Sequence, residues 1–232
     1  MKFCVATLLT ITIIISIFSG CLSDSTDSSK KYSQDDIAYF QAIALGFEDS
    51  TLPDLVYKYN KSSIKIQVLE DPDPESWSCL NTTISDFNTI SKYTKLSVVN
   101  DSNAEIKIYF VPKSDFPKYI KFFNKEDYAY FWDEPITRNC EILSGVIVIS
   151  TDSPSEYRCH VIREELTQSL GLAKENYQYR DSMFYGHSSI YTTKYSEIDK
   201  HLIDMLYNSN IRSCATKDDV KNYFTDFVIT ET

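Results

Sequence analysis

Glycine is scarce in this chain. Only five of 232 residues are glycine, at 20, 46, 145, 171 and 186, too dispersed for a GxGxxG or GxxxxGK[ST] phosphate loop. The usual cradles for ATP and dinucleotides are therefore missing. No basic run occurs either: 23 Lys+Arg against 33 Asp+Glu give a net charge of −10, which argues against nucleic acid as a partner. No GxSxG elbow or Ser/His/Asp order stands out, so no nucleophile can be named. Histidine is rarer than glycine, with only His160, His187 and His201, so a three-histidine metal site needs all of them at irregular spacings. What the chain does have is apolar content of 43% and aromatic content of 14%, enough to build a core for one domain with appendages.

Lys2 precedes an apolar run from Phe3 to Phe18. That run is shorter than the roughly 20 residues that cross a bilayer as a helix, and it reads as an export signal. Phe18-Ser19-Gly20-Cys21 resembles the lipobox of lipoprotein precursors, which implies a signal peptide over 1–20 and acylation of Cys21. The alternative is an uncleaved N-terminal membrane helix. Either way the chain is expected outside the cytoplasm, anchored to the cell membrane through lipid or helix. Residues 21–33 are polar and Ser/Asp-rich, as a flexible tether is.

Setting aside Cys4 in the signal and Cys21 at the lipid site leaves Cys79, Cys140, Cys159 and Cys214. An even number in an oxidising compartment predicts two disulfides. Three pairings exist; Cys140–Cys159 is favoured because it closes a short loop around one strand, leaving Cys79–Cys214. No CxxC spacing supports a metal use of these cysteines. The Asn60, Asn81 and Asn100 sequons are triplets of a kind common by chance.

Residues 34–232 contain no repeat or second linker and read as one domain. Ser33-x-x-Asp36 predicts a capped helix through Phe47. Ile64, Ile66 and Val68 alternate as a strand, as do Ile106, Ile108 and Phe110. Trp77, Leu80, Ile84 and Phe87 fall at helical spacing, and Phe116–Phe123 reads as a short helix. Gly145–Ser150 is an apolar strand suited to a covered sheet. A helix from about Glu156 to Leu170 stops at Gly171, and Ser196-x-x-Asp199 opens another. The pattern predicts an α/β (α+β) fold, one mixed sheet packed with helices.

The chemistry concentrates in the 159–174 stretch. At 100° per residue, Ile162, Leu166, Leu170 and Ala173 form a buried stripe, while Glu164, Glu165 and Gln168 share a polar flank. His160 precedes Glu164 by four residues on the same side, a spacing common on helix surfaces without any metal. Glu165 is the candidate general base, because adjacent carboxylates disfavour each other's ionisation. The bland alternative is that Arg163, Glu164, Glu165 and Gln168 bond to nearby backbone and lock the helix in place. His187 sits in a Gly/Ser turn and His201 near the start of a surface helix.

This stretch is similar to the metzincin helix HExxHxxGxxH. The resemblance puts Glu164 in place of the first histidine, Glu165 at the general base, Gln168 in place of the second histidine and Lys174 in place of the third; Gly171 matches. Residues 37–214 more closely resemble domain of unknown function 2927. Its marks are the EELTQxLGL phrase at Glu164–Leu172, a turn at Ser182-Met183-Phe184, Leu206-Tyr207 at the end of a later helix, and an opening like FQAIALGFED at Phe40–Asp49. This resemblance implies a zincin-like frame with a degenerate active-site helix. The expected function is a non-catalytic binding or structural module of the cell envelope, holding a peptide or protein ligand without cofactor or metal. The alternative is an exported hydrolase with Glu165 as base and a zinc on His160, Glu164 and one further group. The cleft cluster is therefore His160, Glu164, Gln168 and Lys174 around Glu165.

Overall fold

The computed structural model describes residues 31–48, 50–120, 123, 127–133, 136–186 and 191–226. The apolar leader, Cys21, most of the tether and His187 lie outside them. Tyr32, at the tether's far end, is already packed, its hydroxyl donating to Asp204 at 2.5 Å.

Alternation builds the sheet. In β1 (Ser63–Leu69) Ile64 and Ile66 are buried and Lys65 is exposed; β3 (Ile106–Val111) buries Ile106, Ile108 and Phe110. β5 (Gly145–Ser150) is apolar up to Ser150 because both its faces are covered: Ile147 and Ile149 join the main core, and Val148 joins a smaller cluster on the other side. Two strands have no clear sequence signature. β2 (Lys95–Val98) has only four residues, half of them polar, and β4 (Ala129–Asp133) is aromatic without strict alternation. The order is β2-β1-β3-β5-β4, parallel except for β4, which runs antiparallel to β5 and forms one edge.

Helices cover the main face. α1 (Gln34–Ala44) starts in the Ser33/Asp36 capping box but stops short of Phe47, because Leu45 becomes extended and bridges Val56. α2 (Pro74–Ile90) is capped by Asp73, and α3 (Ser155–Gln168) lies against α2, β4 and β5. α4 (Glu197–Tyr207) opens in the Ser196/Asp199 box. α5 (Lys217–Thr225) opens in a Thr216/Asp219 box, the same signature in a short C-terminal segment. Among the described residues of the helix expected over 116–123 there is no α-helix: a 3-10 helix over Lys113–Lys118 takes its place, with Pro117 inside it. Its Phe116 packs with Val111, Ile120 and Val148 on the far face of the sheet.

Both disulfides form, but in a different pairing from the one expected. Cys79 joins Cys159, tying α2 to α3, and Cys140 joins Cys214. The Cys140–Cys159 expectation fails because β5 lies between them. A strand rises about 3.3 Å per residue, which carries its two ends well beyond a disulfide's Cα reach of roughly 4.4–6.8 Å.

Candidate functional site

The C-terminal end of α3 is fixed first by backbone. Gly171 sits at φ +104°, and a Cβ there would lie 2.1 Å from the Tyr57 carbonyl oxygen, so no side chain is tolerated. Tyr207 donates its hydroxyl to the Leu170 carbonyl at 2.7 Å. Ile162, Leu166, Leu170 and Ala173 are all buried, as their stripe predicts. With that face committed to the core, Glu164, Glu165 and Gln168 take up the opposite flank.

His160 stands at the head of this flank. Its Nδ1 lies 2.9 Å from the Thr192 carbonyl, a contact in which the ring must donate, and this leaves Nε2 turned toward Glu164 Oε2 at 3.3 Å. Burial disfavours the imidazolium, but Glu164 and the Thr192 carbonyl outweigh it and raise the His160 pKa. Tyr157 and Tyr191 pack on each other with ring centroids 4.8 Å apart, each about 6 Å from the imidazole, forming an aromatic wall.

Glu165 and Gln168 are buried, 8% and 4% exposed, and neither side chain is hydrogen-bonded to another described residue. Burial pushes the Glu165 carboxyl well above the usual range, and the nearby Glu164, Glu175, Asp127 and Glu48 push it further. Local backbone bonding is real at other positions of the same helix: Thr167 donates to the Arg163 carbonyl and Ser169 to that of Leu166. It does not extend to Glu165 or Gln168.

Lys174 is not in the cluster. Its ammonium pairs with Asp54 at 2.7 Å and its backbone N–H donates to Ile43. Glu175, unremarked in the sequence, takes the facing position. Beyond Gly171 the chain is no longer helical, so successive side chains diverge, and helical counting at 174 fails. Glu175 Oε2 would lie 2.5 Å from a Cβ at Gly186, so that glycine makes room for the carboxylate. Burial and the carboxylates of Glu164, Glu48 and Asp127 raise the Glu175 pKa, although its open surface lets solvent moderate the push.

The remaining motif residues support this arrangement. Ser182 donates to Asp199 at 2.6 Å, the Met183 N–H donates to the same carboxylate, and Tyr39 donates to Ser182. The turn so held offers the Phe184 carbonyl to the Asn176 N–H at 2.8 Å, positioning the segment that carries Glu175. Sheet edge β4 lies beside α3, and among the described residues no strand pairs with its outer side.

A catalytic zinc takes three nitrogen, sulfur or carboxylate donors and keeps one open position. His160 and Glu164 suit it, the Gln168 amide is a poor donor, and Lys174 is elsewhere. Among the described residues no three His, Cys, Asp or Glu side chains gather as a metal set. The residues present do not fit the group.

These elements define a mixed α/β protein with a polar helix flank beside an open sheet edge. The chain belongs to the family described as a protein of unknown function, DUF2927, matched over residues 34–226. No curated protein matches it. Two solved structures of myroilysin are similar: one with a TM-score of 0.43 and 11% identity, covering 66% of this chain and 83% of that one, the other with 0.42 and 12%, covering 72% and 95%.

Proposed function

We propose that this is an extracytoplasmic, membrane-anchored binding domain that holds an extended peptide in the α3 cleft without cutting it. The observation that carries the reading is a pair of largely enclosed polar side chains, Glu165 and Gln168, which have no hydrogen bond to another side chain or backbone group among the described residues. Enclosed polar groups are almost always hydrogen-bonded, so this pair suits a ligand or water in the cleft. The β4 edge beside them suits strand addition, in which main-chain hydrogen bonds supply affinity. The Gln168 amide both donates and accepts, which matches a peptide group. The two disulfides support an oxidising compartment. Anchoring through Cys21 or an uncleaved N-terminal helix remains part of the proposal.

Calorimetric titration with a synthetic heptapeptide of alternating valine and lysine tests it. Saturable binding that protects β4 amides from hydrogen exchange, and that weakens about tenfold or more in Gln168→Leu, is the expected result; tenfold corresponds to about 1.4 kcal/mol, the scale of one hydrogen bond. Binding indifferent to Gln168→Leu and to β4 would contradict it.

A further inference from the structure

Where α3 meets α2 a second site is formed. A groove of about 750 Å3 opens between α2, α3 and residues 193–195, with the Cys79–Cys159 bridge in its wall. That size is within the roughly 300–1,000 Å3 of small-molecule sites. Its charged lining is Arg163, Lys194 and Lys200 against Glu75 and Asp86, a cationic excess in a chain of net charge −10. Lys200 also pairs with Glu197.

Arg163 is the unusual member. Its side chain is 2% exposed, its guanidinium stacks on the Tyr195 ring at 4.4 Å, and Nη2 donates to Asp86 at 2.7 Å. Nε and Nη1 are buried with no partner among the described residues. A guanidinium is a five-donor fork shaped for planar or tetrahedral oxyanions, and here each of its two bidentate edges, Nε/Nη2 and Nη1/Nη2, keeps one unbonded donor. Asp86, by contrast, has a side chain that is 40% exposed.

We propose that this groove binds a small molecule bearing a carboxylate or phosphate group, and that Asp86 is the intramolecular stand-in for it. The ligand displaces the Asp86 carboxylate and draws the guanidinium fork outward, so that both its edges are bonded. Lys194, exposed on the rim, adds long-range attraction.

Titration of the intact protein with inorganic phosphate and, separately, with succinate tests the proposal and distinguishes the two sources of oxyanion. Asp86→Asn removes the competitor and should tighten binding of at least one probe about tenfold; Lys194→Ala should weaken it several-fold and flatten its salt dependence. Arg163→Gln should abolish binding, and if that variant does not fold, the Asp86→Asn and Lys194→Ala pair still decides. No binding of either probe to wild type and Asp86→Asn, or an affinity unmoved by both substitutions, overturns the site.

Discussion

His160 Nε2 lies 3.3 Å from Glu164 Oε2 while its Nδ1 is committed to the Thr192 carbonyl. A neutral ring in that tautomer would present a lone pair to a carboxylate, so the geometry favours the imidazolium. The folded pKa is raised, so the pair's contribution to stability is fully present below the ordinary histidine value and is lost as pH rises through the folded one. NMR titration of the ring should show this elevation in wild type and a lower pKa in Glu164→Gln. An unchanged value in the variant would show that the two groups do not interact.

Glu165 and Asp133 carry the opposite burden at neutral pH. Both carboxyls are pushed well above their ordinary values by burial, and the two Asp133 oxygens have no partner among the described residues. The folded state therefore keeps protons that the unfolded chain releases, and stability falls as pH rises from the usual carboxylate range toward the folded values. Urea midpoints for Glu165→Gln and Asp133→Asn should match wild type most closely near pH 4 and exceed it increasingly toward pH 8. A constant gap across that range would rule out ionisation as the cause.

The disulfides give a covalent test. Non-reducing peptide mapping should recover Cys79 with Cys159 and Cys140 with Cys214. Each closes a long loop, with sequence separations of 80 and 74, so losing either should cost about 2–5 kcal/mol in denaturant unfolding. A Cys140–Cys159 peptide would contradict the arrangement of α2, β5 and α3 together.

Gly171→Ala should destabilise by about 2–3 kcal/mol or more, since it combines an unfavourable left-handed backbone with a contact at 2.1 Å to Tyr57. Gly186→Ala should be milder, because the neighbour it meets is the end of the Glu175 side chain. Thermal melts of the two variants compare them directly, and equal losses would contradict the packing described for Gly171.

Much of the frame was legible in the sequence because its signals are local. Capping boxes at Ser33 and Ser196, the alternation of β1 and β3, and the stripe along α3 each depend on neighbours in the chain. β2 and β4 were not, since a short edge strand needs only one partner and carries little pattern of its own. Within the site, helical counting put His160 beside Glu164, which lie 3.3 Å apart, and put Lys174 with them, where the helix has already ended and the ammonium pairs with Asp54. Glu175, Tyr191 and the Thr192 carbonyl reach the cleft through tertiary packing, which no spacing rule records. The cysteine pairing depended in the same way on how far β5 carries the chain.

The central claim is that the cleft holds a peptide and does not hydrolyse it. The most direct measurement incubates the intact protein with the valine–lysine heptapeptide, with and without added zinc and with a chelator, following bound and cleaved peptide by mass spectrometry. The account predicts saturable binding of intact peptide under all three conditions. Cleavage that a chelator abolishes and zinc restores, and that Glu165→Gln removes, would contradict it.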